Sequence, residues 1–238
     1  MPGPRPRTDP LTWLTQLEGV PSAMAGSRDG LDAVLRDRGL RRTRPEQTTE
    51  SLLRGAHASA VLEGSTSSLD QVRAGDGDAV AQAALRVSTE LLAQVPVLAR
   101  SPVQALARLH ALTGAPDPGA PVSAEAAARL QQLGRTVLAT EQPALVVAAL
   151  VHAEVVAAAP FSAHHGLVAR AAERLVLVQR GLDPASVLVP EAGHLALRPA
   201  YEARLRDYAT GGREGVHAWL LYAAEAYAAA AGASPINE

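Results

Sequence analysis

Residues 144–170 read ALVVAALVHAEVVAAAPFSAHHGLVAR, and this stretch decides the fold. From Ala144 to Ala158 the chain is apolar except at His152 and Glu154, and Pro143 sits just ahead of it, where a first helical turn tolerates proline. A run of this length is longer than a strand and apolar on nearly every face, as a buried helix is. It is also interrupted by two polar residues and falls short of the ~20 apolar residues a membrane span needs. Ala159-Pro160-Phe161 then leads through a turn to Gly166 and a second apolar helix. A turn entering a helix this way exposes unpaired N–H groups that can hold an anion.

Outward from this stretch, apolar residues keep recurring at helical spacing from Gln47 onward, and the predicted class is all-α. The pattern gives about eight helices: 48–62, 79–94, 102–112, 124–139, 144–158, 166–180, 199–208 and 214–231. Ser68 with Gln71 forms a capping-box pattern, Ser123 suits an N-cap, and Gly64, Gly114, Gly181 and Gly232 are stops. Residues 113–122 form a Gly/Pro-rich loop with room for a short β-hairpin, and 183–198 form a second long connection. Residues 1–45 form an N-terminal extension, partly irregular, with short helical patterns at 11–17 and 31–35. Residues 46–232 form the helical domain, and 233–238 a C-terminal tail. The arginines at 36, 38, 41, 42 and 44 read as a solvated charge run. Asp76 and Asp78, between glycines, lack the remaining ligands of a calcium loop and read as a turn.

The chain has 238 residues, 47% of them hydrophobic, but only two Trp, four Tyr and one Phe, so its core must be built from Ala, Leu and Val. All 22 positive charges are Arg, as in a GC-rich genome, and there is no Cys. These absences exclude Schiff-base lysine, the phosphate-loop lysine, thiolate catalysis, disulfides and cysteine-ligated metals. With a net charge of −2 there is no electrostatic case for nucleic acid or an anionic membrane as partner. The N-terminus has no apolar segment of the kind that directs secretion, so the expected location is the cytoplasm.

The Phe161 segment, with His152 on the preceding helix, resembles the core of the Fic (Fic/Doc) family, whose motif is His-Pro-Phe-x-x-Gly-Asn-Gly-Arg-x-x-Arg. Four of its eight specified positions match: Pro160, Phe161, Gly166 and Arg170. Ser59-Ala60-Val61-Leu62-Glu63-Gly64 resembles the family's inhibitory helix pattern, Ser/Thr-x-x-x-Glu-Gly/Asn, within helix 48–63. Leu109-His110-Ala111-Leu112 resembles the helix that leads to the family's substrate-binding flap, and Arg180-Gly181-Leu182, Tyr201, Leu205 and Trp219 follow its usual course. The resemblance covers about residues 50–232 and implies the Fic helical fold.

The departures matter for chemistry. In the family the motif His is the general base and an acidic residue holds Mg²⁺; the matching positions here are Ala159 and Ala163. His164 replaces the first motif Gly, His165 the Asn and Leu167 the first Arg. The resemblance therefore implies a catalytically degenerate protein, a binding or regulatory module with no catalytic residue and no cofactor. It also implies that Glu63 bonds Arg170, with Ser59, as a partly buried structural pair. His152, Pro160 and Phe161 are the motif scaffold. The rival reading is an enzyme that handles a nucleotide or phosphate, such as an AMP transferase, in an altered pocket. There ATP and Mg²⁺ would bind, with His164, His165, Gly166 and Arg170 holding the anion.

His152 reads as a hydrogen-bonded core histidine, and His164 and His165 as helix-capping, cleft-lining residues rather than metal ligands. The alternative gathers His152, His164 and His165, with His110 or His57, around Zn²⁺ or another transition metal. Glu154 is expected to be solvated or paired with an arginine. Trp219, Tyr222 and Tyr227 form a core stripe on the last helix, whose Ala-rich continuation offers a homodimer contact. The expected partner is otherwise an unidentified protein.

Overall fold

The computed structural model describes residues 9–39 and 44–237, the side chains of 36–39 and of 237 excepted. Twelve α-helices follow in order among these residues: α1 (Val20–Gly39), α2 (Pro45–Leu62), α3 (Leu69–Ala74), α4 (Ala79–Thr89), α5 (Val95–Leu98), α6 (Pro102–Leu112), α7 (Ala124–Ala139), α8 (Ala144–Ala158), α9 (His165–Gln179), α10 (Pro190–Ala196), α11 (Arg198–Thr210) and α12 (Gly212–Gly232). Short 3-10 turns lie at Thr12–Gln16, Leu92–Gln94 and Pro235–Asn237. No strand occurs among the described residues, and none of the described helices is long and apolar enough to cross a membrane.

The centre is the pair α8 and α9. Helix α8 is covered by α9, α7, α11, α12 and α1, while α9 is ringed by α8, α2, α4, α5, α6 and α10. Such crowding needs small side chains at the contacts, and Ala148, Ala149, Ala153, Ala169 and Ala172 are completely buried there. Trp219 supplies the fully buried indole, and its Nε1–H donates to the Ala149 carbonyl of α8 at 2.8 Å. The caps legible in the sequence are present. The Ser68 hydroxyl accepts from the Gln71 N–H at 3.2 Å, and the Ser123 hydroxyl from the Ala126 N–H at 3.1 Å. Asp78 is a helix cap rather than a calcium ligand, since its carboxylate accepts from the Ala81 N–H at 2.9 Å.

Four expectations need correcting. The N-terminal extension contributes to the core through Leu14, Val20 and Leu31, and α1 lies along α12, where the Ser27 hydroxyl donates to the Ala224 carbonyl at 2.7 Å. Within this chain, then, α1 already covers part of the Ala-rich face of α12. The predicted helix 79–94 ends at Thr89; a 3-10 turn at Leu92–Gln94 follows, and α5 opens with Pro96 in its first turn, where proline is tolerated. The connection 183–198 contains α10, whose approach is fixed by buried Asp183 accepting from the N–H groups of Val187 (3.1 Å) and Leu188 (2.8 Å). Finally, residues 113–122 hold turns and no hairpin; the loop is tied down where the Val122 N–H donates to the Pro160 carbonyl at 2.9 Å. Most of the arginine run at 36–44 lies outside the described side chains; Arg44 is exposed.

Helix α10 approaches α12 so closely at Gly193 that a β-carbon there would collide with the Ala226 carbonyl. Gly193→Ala is therefore expected to lose about 2 kcal/mol or more, measured as a lower urea midpoint. Gly26→Ala, in open space on α1, is expected to raise stability by about 0.5–1 kcal/mol.

Candidate functional site

Helix α8 stops at Ala159, whose backbone is left-handed (φ 38°), and α9 starts after His164, also left-handed (φ 57°). These two reversals fold Pro160–Ala163 into a tight turn. Phe161 anchors it: the ring is buried and stacks on His110 of α6, with centroids 4.4 Å apart. His110 Nδ1 accepts the Gly119 N–H at 3.0 Å, which places the ring proton on Nε2. That Nε2 and His165 Nδ1 are buried without a hydrogen-bond partner among the described residues. Burial chiefly, then the neighbouring His164 and His165, lower the basicity of His110. Leu167, one turn into α9, is buried among Ala56, Ala60, Ala83 and Ala84 of α2 and α4.

Arg170 lies a further turn along α9 and is 1% exposed. Its Nη2 donates to Glu63 Oε1 at 2.8 Å and to the Ser59 carbonyl at 3.1 Å. Its Nε donates to the Ser59 hydroxyl at 2.7 Å, and its Nη1 to the Tyr201 hydroxyl at 2.9 Å. The expected Ser59, Glu63 and Arg170 grouping is thus in place, half-buried on the Glu63 side. Gly166 has a steric reason: a β-carbon there would run into Glu63 Oε1.

Behind Arg170 lies a buried polar network that the residue pattern does not announce. The Tyr201 hydroxyl meets His152 Nε2 at 2.9 Å, and His152 Nδ1 meets Glu173 Oε2 at 2.8 Å. Glu173 is completely buried; the same oxygen meets His194 Nε2 at 2.9 Å, and its other oxygen accepts from the Tyr227 hydroxyl at 2.8 Å. Because a carboxylate only accepts, both imidazoles donate to it. Tyr201, already accepting from Arg170, is left to donate to His152. Burial pushes the Glu173 carboxyl up, but His194 and His152 outweigh it and hold it well below the usual carboxylate range. Burial lowers His152 to about 4 against the pull of Glu173. His152 is therefore the core histidine expected of it.

Beside this network Arg174 is also buried. It donates to both Glu191 (3.1 Å) and the Ser51 carbonyl (3.2 Å) through Nη1, to the Ser186 hydroxyl (2.8 Å) through Nε, and to the Ser51 hydroxyl through Nη2. The signal for both networks is on α9 itself. Arg170, Glu173 and Arg174 are spaced i, i+3, i+4 on a helix whose other positions are almost all apolar. With no polar face left, those charges had to be buried and paired.

The only group of three metal-ligand side chains brought together among the described residues is His152, Glu173 and His194, their ligand atoms within 4.8 Å of one another. Each of those atoms already takes part in the hydrogen bonds above, so the donor set fits shared protons better than an ion. The alternative grouping of His152 with His164, His165, His110 or His57 is not formed. His152 bonds Glu173, while His110 of α6 stacks on Phe161 and His164 precedes α9. Glu154 pairs with Arg129 at 3.3 Å, as expected, and accepts from the Tyr208 hydroxyl at 2.6 Å.

No protein-family model and no curated protein matches the chain. The fold does match solved structures. A Fic family protein from Desulfovibrio desulfuricans G20 superposes with a TM-score of 0.73 over 89% of this chain and 73% of that one, at 16% identity. Residues 134–508 of Fic-1 from C. elegans superpose with a TM-score of 0.66 over 93% and 75%, at 17% identity. The chain has the all-α Fic fold.

Two measurements test the network. Glu63→Ala leaves a buried guanidinium short of one partner and is expected to cost about 1–3 kcal/mol in urea unfolding, the partial exposure of Glu63 keeping it near the low end. The pH dependence has a definite sign. The unfolded chain protonates His152 near the ordinary 6.5, whereas the fold keeps it neutral to about 4. The unfolded state thus binds the extra proton, so stability falls as pH drops from 6.5 to 4, by up to about 1.4 kcal/mol per pH unit from this group. Glu173, held low in the fold, extends the loss to still lower pH. Urea midpoints across pH 4–8 should show this fall, with a shallower slope in His152→Gln.

Proposed function

We propose that the protein is a catalytically degenerate Fic-fold protein, acting in the cytoplasm as a binding or regulatory module for another protein rather than transferring AMP. The observation that carries this reading is the identity and setting of three positions in and after the turn. Where the Fic motif has its general base, this chain has the Ala159 methyl; where it has a metal-binding carboxylate, it has Ala163. Where it has its first arginine, it has Leu167, buried against α2 and α4.

Each change removes a distinct contribution. A general base accounts for about 10²- to 10⁴-fold in rate. The metal and the arginine supply most of the charge stabilisation in phosphoryl-type transfer. The surviving motif cation, Arg170, has its donors engaged by Ser59, Glu63 and Tyr201, so it supports a structural role. The polar end of the turn, where His164 and His165 precede Gly166, fits a surface that meets a partner. The nucleotide-handling alternative would need α2 to withdraw Glu63 before Arg170 could meet a phosphate.

The test is to incubate the protein, and its Glu63→Gly variant, with Mg²⁺ and ATP labelled at the α-phosphate, alone and with cell lysate. Neither is expected to label itself or any lysate protein. Incorporation of label, above all by Glu63→Gly with its freed arginine, would overturn the reading.

A further inference from the structure

The face of α8 turned away from α9 carries a cleft that no motif residue lines. Its inner part, about 400 Å³, lies between the N-terminal segment and helices α7, α8, α11 and α12. The floor is Leu11, Leu133 and Leu150, each buried but still 6–7% exposed. The half-buried indole of Trp13 forms one wall. Outward, the space widens to a mouth of about 620 Å³ bordered by Thr210, Gly212 and Arg213, and both parts share Arg129, Glu154 and Tyr208.

The charges are unequal. Arg129 and Glu154 face each other at 3.3 Å, and Glu154 is fixed by the Tyr208 hydroxyl at 2.6 Å, so this pair is internally neutral. Arg213 has no carboxylate partner among the described residues; its guanidinium lies 5.4 Å from the centre of the Trp13 ring. Among the residues that line the cleft, Arg213 is the one charge without an ion-pair partner. The N-terminus of α12 opens at the same place with no side-chain cap; its dipole has the same sign, and Glu214 stands in its first turn beside Arg213.

We infer that this cleft is a binding site for a small organic monoanion with a flat apolar body, in class an aromatic carboxylate. The ring lies on Leu133 and Leu150 against the Trp13 indole, where apolar area is removed from water and aromatic faces pair. The carboxylate lies at the mouth, where the Arg213 fork matches it in two parallel hydrogen bonds. An apolar pocket of this size with a few convergent polar groups is the usual form of a small-ligand site. A dianion would leave one charge unmatched, and a neutral ring would leave Arg213 unused.

The probe is 2-naphthoate, titrated calorimetrically and by ¹H–¹⁵N spectra of the full chain, with neutral 2-naphthamide as its control. Saturable naphthoate binding is expected below about 1 mM, a range set by the affinity available to so few atoms. The amide should bind at least about tenfold more weakly. The two indole N–H signals give a direct readout, because Trp219 is buried with its N–H bonded to Ala149. The Trp13 signal should shift and that of Trp219 should not, the two being distinguished in Trp13→Phe. Arg213→Glu, on the surface and confirmed as folded by circular dichroism, should weaken naphthoate at least about tenfold while leaving the amide unchanged. No saturable binding, equal binding of the amide, an unmoved Trp13 signal or unaltered affinity in Arg213→Glu would each overturn the inference.

Discussion

A carboxylate with no access to water sits at the middle of this protein, and the packing around it is shaped by the need to satisfy it. Burying an ion costs several kcal/mol unless its lone pairs are met. Glu173 meets that requirement with donors from three directions: His152 from α8, His194 from α10 and Tyr227 from α12. None of these helices can rotate or slide without giving up one of the carboxylate's hydrogen bonds. The aliphatic core of Ala, Leu and Val is permissive about exact register, and the carboxylate supplies the specificity that such a core lacks.

The same requirement reaches the motif turn. Tyr201 links His152 to Arg170, and Arg170 links the network to Glu63 on α2. The buried negative charge therefore has a buried positive one joined to it through Tyr201 and His152, and the helix that blocks the arginine in the Fic pattern is here tied to the core. A residue that elsewhere could meet a phosphate has four bonds to the protein. Its position is explained by folding, and Ala159, Ala163 and Leu167 stand where the motif has its base, metal ligand and first arginine.

Much of this is legible in the sequence, and the gaps have physical causes. The bounds of α6, α7 and α8 are readable to the residue, because proline or a serine cap opens each and the apolar pattern ends sharply. Helix α1 is obscured by Gly26 and Gly30 and by a polar composition, since its stability comes from lying on α12. Helix α10 is too short for periodicity to register. The pairing of Glu63 with Arg170 is visible in spacing that resembles a known pattern. Glu173, Arg174 and His194 escape notice one by one because a single charged residue in a helix usually faces solvent. The stronger signal is collective: α9 has no other polar face on which Glu173 and Arg174 could lie.

The central claim is that Arg170 and the buried network act as one structural unit, and a double-mutant cycle tests it most directly. Urea unfolding would be measured for the parent chain, Arg170→Met, Tyr201→Phe and the double variant at pH 7. If the hydrogen bond at 2.9 Å joins the motif arginine to the Glu173 network, the two losses should be non-additive by about 1 kcal/mol or more. Additive losses, within about 0.3 kcal/mol, would contradict it and leave Arg170 independent of the core.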